Sequence, residues 1–301
     1  MSRKFVFQTT DTNEITRAYL DSILVEERLL DASLPELHTE IFGKKFDSPI
    51  MTPAFSHLHH MEDNRDGMLE YTKAAKQQNI LNWTGMETDD SFGEIIREYR
   101  DTVRIIKPFA DREKIYQQME FAEKNGAFAV GIDIDHSFGG DGKFDVVDGE
   151  VMGPVSTSEL KKFVDAVKLP FIIKGVLSVS DAEKCAECGV KGIVVSHHHG
   201  RMPFAVPPLM VLPDIQKELS GTGVQIFVDC HMDSGVDAFK AIALGADAVS
   251  VGRAMLDGLQ AEGTSGVVKK IRKMNEELAM MMGYTGFALV GEIERSVLWN
   301  Y

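Results

Sequence analysis

The sequence predicts an α/β protein: a (β/α)8 TIM barrel with an N-terminal lead-in segment (1–47), a barrel (48–285) and a C-terminal helical tail (286–301), forming one domain over 1–301. Three observations carry this prediction. From residue 48 onward, eight short apolar runs of strand length alternate with stretches of helical pattern. Parallel strands joined by crossover helices, eight of them, close naturally into a barrel. Polar residues collect where the apolar runs end, which is the edge where such barrels keep their chemistry. The competing open doubly wound sheet would carry a Gly-rich dinucleotide fingerprint after its first strand, and none is present.

The elements follow in order. NEITRAYLDSILVEE reads as a helix leading into the polar stretch LLDASLPELHTEIFGKKFD. Residues 48–55 (SPIMTPAF) read as strand, 61–78 as helix, 79–85 (NILNWTG) as strand and 90–100 as a short helix. The run 102–109 (TVRIIKPF) is the third strand, followed by a helix over 111–126 that Asn-Gly closes. FAVGIDID (128–135) is the fourth strand. A long loop over 136–155 with five glycines leads to a helix over 156–167, and its place at the catalytic edge suggests a mobile lid. The central unit is PFIIKGVLSVSDAEKCAECGVKGIVVSHHHGR (170–201). It reads as two buried strands around a helix that Ser178 or Ser180 caps and Gly189 ends. VPPLMVLPDIQKEL (206–219), the strand 224–229, the helix 234–245 and the strand 246–252 complete the alternation, and two helical stretches precede the tail.

Composition narrows the function. An apolar fraction of 44% with 26% charged residues suits a globular chain with a sizeable core. A net charge of −14 argues against nucleic-acid and anionic-membrane surfaces, which need a basic footprint. No apolar run approaches the length of a membrane span, and the N-terminus lacks a signal-peptide core. The three cysteines suggest no disulfide framework, so the expected location is the cytoplasm. Cys185 and Cys188 form a lone CxxC, read as two small residues of a helix rather than a redox pair.

The strand ends assemble a constellation. It comprises His57, His59 and His60 after the first, Lys107 after the third, and Asp133, Asp135 and His136 after the fourth. Lys174 follows the fifth, Ser196 to His199 and Arg201 the sixth, Asp229, Cys230, His231 and Asp233 the seventh, and Gly252 and Arg253 the eighth. Eight of the nine histidines lie in this set. Two chemistries suit it. A histidine braced by a carboxylate works as a general base near neutral pH, with an arginine offering a planar fork to a substrate carboxylate. Alternatively, histidines and aspartates ligate a divalent metal, although no ligand spacing singles out a set. Of the two aspartates, Asp133 is expected to face the barrel and Asp135 the helices. The methionines at 280–282 read as core packing.

FIIKGVLSVSDA, GIVVSHHHGR, VLPDI, FVDCHMDSGVDAFKAIALGADAVSVGRA and ELAMMMGYTGFALVGEI resemble the FMN-dependent α-hydroxy acid dehydrogenases and oxidases, from about Ile23 to the C-terminus. The resemblance implies FMN as cofactor, a small 2-hydroxy acid as substrate and a homo-oligomer, a tetramer as is frequent in the family. It implies His198 as general base, Asp133 as its partner, Arg201 as the substrate-carboxylate ligand and Lys174 beside the flavin. Pro53 and Ala54 would back the ring, Ser196 and Asp229 would contribute to the flavin site, and Gly252 and Arg253 would cradle the phosphate.

Departures are equally specific. The family's Asp-Gly-Gly-x-Arg reads Asp229-Cys230-His231-Met232-Asp233, which places an acid where an arginine would grip phosphate. Ile105 and Lys107 replace a glutamine and a tyrosine, Gly131 a threonine and His199 a glycine, and a second substrate arginine has no counterpart. Lys107 is the candidate for the lost cation. The alternative expectation is a pocket recruited to a metal, another ligand or a non-catalytic binding role.

Overall fold

The computed structural model describes residues 7–61 and 64–299. Eight short parallel strands form its central sheet: β1 (Ile50–Met51), β2 (Asn82–Thr84), β3 (Thr102–Ile106), β4 (Ala129–Asp133), β5 (Phe171–Val176), β6 (Gly192–Val195), β7 (Gln225–Val228) and β8 (Ala248–Ser250). Their hydrogen-bonded order runs β1-β8-β7-β6-β5-β4-β3-β2. The two ends of that order meet through Thr52, whose amide donates to Leu81 O (3.2 Å) and whose Oγ1 lies 2.7 Å from Asn82 Oδ1. The barrel is therefore nearly closed, its last seam joined by a backbone bond and side-chain bonds of Thr52 rather than a full ladder.

Helices α1 (Thr12–Ser22), α2 (Gly67–Gln77), α3 (Asp89–Glu98), α4 (Arg112–Lys124), α5 (Thr157–Ala166), α6 (Val179–Glu187), α7 (Pro208–Glu218), α8 (Gly235–Ala243), α9 (Leu256–Glu262) and α10 (Thr264–Thr285) surround the strands. Local chemistry explains most of their starts. Asp11, Asp66, Thr88, Asp111, Ser178 and Ser234 each accept from an amide of the first turn, and Ser156 with Glu159 forms a capping box. Of the two candidate caps for α6, Ser178 is the one used. Gly286 ends α10 at φ +79°, a left-handed cap that glycine adopts without strain. The sequence expectation for the helix 61–78 includes residues 62 and 63, which lie outside the described set, as do residues 1–6, 300 and 301 of the terminal segments. The strand expected over 48–55 shortens to Ile50–Met51 because the chain turns away at Pro53, which has no amide hydrogen to donate.

Two cores hold the barrel. The larger lies between strands and helices. The smaller fills the barrel interior with Met51, Leu81, Trp83, Val103, Ile172 and Phe227, and Trp83 stacks edge-on against Phe227 with centroids 5.6 Å apart. A hairpin of the lead-in segment, Thr39–Ile41 paired with Lys44–Phe46, adds Ile41 and Phe46 to this core. The interior is thus packed with side chains, and the polar chemistry is confined to the carboxyl edge. Loop 136–155 is more ordered than a simple lid. It carries the hairpin Val146–Val147/Glu150–Val151, and Glu150 is tied to Lys114 at 2.5 Å. Cys185 on α6 and Cys188 at its C-cap are both buried, free thiols.

Candidate active site

Register brings the first pair together. In the β4–β5 ladder Asp133 stands opposite Lys174, so the two side chains lie at the same level. Lys174 is buried, with Nζ 3.7 Å from Asp133 Oδ1, 3.9 Å from Asp135 Oδ2 and 3.5 Å from Asp229 Oδ2. Burial alone would lower its affinity for a proton. The three carboxylates outweigh that and hold the ammonium well above the ordinary lysine value. Lys107 from the end of β3 reaches Asp133 Oδ2 at 2.8 Å, also out of solvent. Burial opposes ionisation of Asp133, but Lys174, Lys107 and His198 keep it far below the usual carboxylate range.

His198 sits at the centre. Its Nδ1 lies 2.8 Å from Asp135 Oδ1, 3.3 Å from both Asp133 oxygens and 3.2 Å from Lys174 Nζ. Burial and Lys174 disfavour the imidazolium, while Asp133 and Asp135 favour it more strongly, so its pKa is raised. The expectation that Asp135 faces the helices is corrected here. Strand geometry stops at Asp133, and a 3-10 turn over Ile134–Ser137 swings Asp135 back over the barrel. Gly175, at φ +94°, makes the room: a Cβ there would stand 2.6 Å from Asp135 Oδ2. Neither Asp135 oxygen has a well-aligned hydrogen-bond donor among the described residues, despite the nearness of His198. Burial, followed by the charge of Asp133, pushes its pKa up.

His136 faces His198 with Nε2 atoms 3.2 Å apart, and burial together with Lys107 lowers it to about 4. Arg201 lies beside this pair, but not open to the cavity. Its guanidinium is bound to Asp145 Oδ2 at 2.5 Å, Phe138 O at 2.9 Å and His136 Nδ1 at 3.0 Å. Asp145 carries no signal in the sequence that would have marked it as part of the site.

Asp133, Asp135, His136 and His198 bring donor atoms within 4.8 Å of one another. A divalent cation there would compete with Lys107 and Lys174, whose ammonium groups already balance the carboxylates.

A cavity of about 350 Å³ opens against this network. Pro53, Ala54 and Phe55 from the turn after β1 form one wall. Lys174, His198, Asp229, Ser250, Gly252 and Arg253 contribute the strand-end polar groups, with His199, Cys230, His231 and Asp233 completing the lining. Ser196 stands behind it, its Oγ 3.5 Å from Lys174 Nζ and accepting from the His198 amide at 3.1 Å. Asp233 is not the unopposed negative charge that the sequence suggests, since it lies 3.4 Å from His231 Nδ1 and 4.0 Å from Arg17 Nη1. His198, His199, Cys230 and His231 all have left-handed backbones, at φ between 45° and 67°. Such residues cost about 1–2 kcal/mol each relative to glycine, strain of a kind found at functional sites. Cys230 is not a reactive thiolate, because burial and Asp229 push its thiol upward.

A second cavity, of about 340 Å³, lies over β2 and β3 and includes His57, His59 and Glu87 in its lining. His59, one of the three histidines after the first strand, is clamped between Asp66 (2.8 Å) and Glu87 (2.6 Å).

The sequence model of the family described as FMN-dependent dehydrogenase matches residues 7–157 and 142–300. A 2-hydroxyacid oxidase of Dictyostelium discoideum is 28% identical over 92% of this chain and 79% of its own length. Glycolate oxidase of Spinacia oleracea is 27% identical over 89% of this chain and 82% of its own. Among solved structures, a mandelate oxidase variant with 2-hydroxy-phenylacetamide superposes with a TM-score of 0.84 at 26% identity, covering 95% of this chain and 90% of that one. Another mandelate oxidase variant, holding a monooxide FMN adduct, superposes at 0.82, at 27% identity over 95% of this chain and 91% of that one.

The donor set suits such a group. The cavity offers a small apolar wall at Pro53 and Ala54 for a flat ring and a buried ammonium, and it holds an orphaned imidazole nitrogen at His231 Nε2 and a guanidinium at Arg253. The chain belongs to the FMN-dependent dehydrogenase family, and FMN is its cofactor.

Proposed function

We propose that the protein oxidises a small 2-hydroxy acid to the 2-oxo acid, with His198 as general base. The observation that carries this reading is the buried Lys174–Asp133–His198 network opening on the cavity. When bound, FMN supplies the two-electron acceptor. His198 Nδ1 is held by Asp135 and Asp133, so Nε2 is the atom that takes the hydroxyl proton of the substrate, and His136 gives way to that hydroxyl. Asp133 and Asp135 stabilise the resulting imidazolium. Lys174 offers a fixed positive charge at the cavity wall, held in position by Ser196 and Asp229, that would stabilise negative charge on a bound flavin. Arg201 exchanges Asp145 for the substrate carboxylate, while the ammonium of Lys107 is paired with Asp133 and keeps that carboxylate ionised beside His198.

In this reading residues 1–301 form one catalytic unit that works in the cytoplasm as a homo-oligomer of tetrameric type. No helix among the described residues is long and apolar enough to cross a membrane, and Leu30 and Leu34 of the lead-in segment are more than 90% exposed, as a subunit contact would leave them in one isolated chain.

The test is anaerobic mixing of the flavin-loaded protein with glycolate, L-lactate and L-mandelate while flavin absorbance is followed. The wild type bleaches with at least one of them. His198→Ala keeps its flavin but is reduced about 10²–10⁴-fold more slowly. Reduction at the wild-type rate by the variant would remove His198 from the role of base.

A further inference from the structure

His198 and Arg201 are the two groups that the proposed reaction requires one ligand to touch together, and the space between them is filled by the chain itself. His136 Nε2 lies 3.2 Å from His198 Nε2 and 3.5 Å from Arg201 Nη1, and the two imidazoles meet edge to face with centroids 4.4 Å apart. Burial and Lys107 lower the pKa of His136 to about 4, so this ring is a neutral hydrogen-bond partner at pH 7 rather than a charge. A 2-hydroxy acid with its hydroxyl on His198 Nε2 and its carboxylate on Arg201 has to take the place of that ring.

Asp145 holds the ring and the arginine at once. Its Oδ2 is 3.0 Å from His136 Nδ1 and 2.5 Å from Arg201 Nη2, while Oδ1 accepts from the Val146 amide at 3.0 Å. The Asp145 amide donates to Ser137 O at 3.3 Å, and its carbonyl accepts from the Met152 amide at 2.8 Å, so the residue is built into the loop. Loop 136–155 therefore presents its own carboxylate to the guanidinium and its own nitrogen to the base, the two contacts expected of a substrate. A charge-assisted bond to arginine is among the stronger hydrogen bonds of a protein. A ligand that needs the same guanidinium has its apparent affinity reduced by the fraction of molecules in which that bond is closed.

We propose that Asp145 is an internal competitor of the substrate carboxylate and, with His136 as the ring it positions, sets how tightly 2-hydroxy acids bind. This rests on the oxidation proposed above and adds to it a residue whose effect on affinity is opposite in sign to that of the groups that touch substrate.

Titrating the flavin-loaded protein with glyoxylate, pyruvate and benzoylformate, the 2-oxo acids corresponding to glycolate, L-lactate and L-mandelate, while flavin absorbance is followed reads affinity without turnover. Asp145→Asn keeps an acceptor for the Val146 amide and removes the charge that faces Arg201. Its Kd for at least one of these acids should fall about threefold to tenfold below that of the wild type, the difference between a charge-assisted and a neutral hydrogen bond. Asp148→Asn removes an exposed charge from the same hairpin, paired with His57 at 3.3 Å rather than with Arg201, and should leave every Kd within about twofold. If Asp145→Asn does not retain flavin, Asp145→Ser, which can also accept from that amide, is read by the same criterion. Equal tightening in the Asp145 and Asp148 variants overturns the proposal, as does a Kd for all three acids that is unchanged, raised or beyond detection in the Asp145 variant. A wild type that binds these acids but is reduced by none of the hydroxy acids removes the oxidation, and the competition is then decided by the ratio of Kd values alone.

Discussion

Three adjacent histidines do three different things, and their surroundings decide which. His197 is buried, with Nε2 2.8 Å from Thr16 Oγ1 and Nδ1 accepting from the Gly200 amide, so it ties the loop after β6 to α1. His198 meets the two carboxylates, and His199 turns to Arg253. The raised pKa of His198 has a direct consequence. A base must be unprotonated, so kcat/KM should rise with pH along a limb lying above the ordinary histidine value of about 6.5. Asp135→Asn removes one of the two carboxylates that favour the imidazolium and should move that limb to lower pH. An unshifted limb in the pH–rate profile would show that Asp135 and His198 are uncoupled.

Helix packing around the barrel depends on places where two backbones touch. Gly266 in α10 lies against Gly258 of α9, so closely that a Cβ on Gly266 would collide with the Gly258 carbonyl. Gly235 at the start of α8 meets the Met274 carbonyl of α10 in the same way. The neighbouring atoms are backbone, which cannot rotate aside as a side chain can. Gly266→Ala should therefore destabilise by about 1–3 kcal/mol, the range for overpacking, and equilibrium urea unfolding measures it. An unchanged midpoint would mean that α9 and α10 slide apart at little cost. These contacts could not be read from the sequence, because a glycine within a helical pattern looks the same whether it touches another backbone or open solvent.

The whole barrel collects several buried titratable groups at one rim, and their sum predicts how it responds to acid. Burial lowers both His136 and His197 to about 4, so the unfolded chain binds their protons at higher pH than the folded one does. Stability from these groups is complete above about pH 6.5 and is lost as pH falls from there towards about 4. Asp133, with its pKa depressed by Lys174 and Lys107, adds stability that is present above its unfolded value and declines only below it. His198 acts in the opposite direction: its contribution is complete below about pH 6.5 and fades as pH rises through its higher folded value. Thermal melts should therefore show Tm falling between pH 6.5 and 4, and a flat profile over that window would contradict the burial of the two imidazoles.

The order of elements, the (β/α)8 class and the strand-end location of the site were legible in the sequence because all three depend on local patterns. Apolar period identifies a buried strand, a capping serine or aspartate starts a helix, and parallel connection puts every strand's carboxyl end on one side. Asp133, Lys174 and His198 could be placed at one rim for that reason, whereas the pairing of Asp133 with His198 was implied by the family resemblance. Partnerships made by loops were not legible. Asp135 returns to the site through a 3-10 turn, Asp145 takes Arg201, and Asp233 turns to His231 and Arg17. Strand direction constrains where a side chain starts, but the φ and ψ values of a loop depend on what the loop packs against, and here those neighbours come from α1 and from strands distant in the chain.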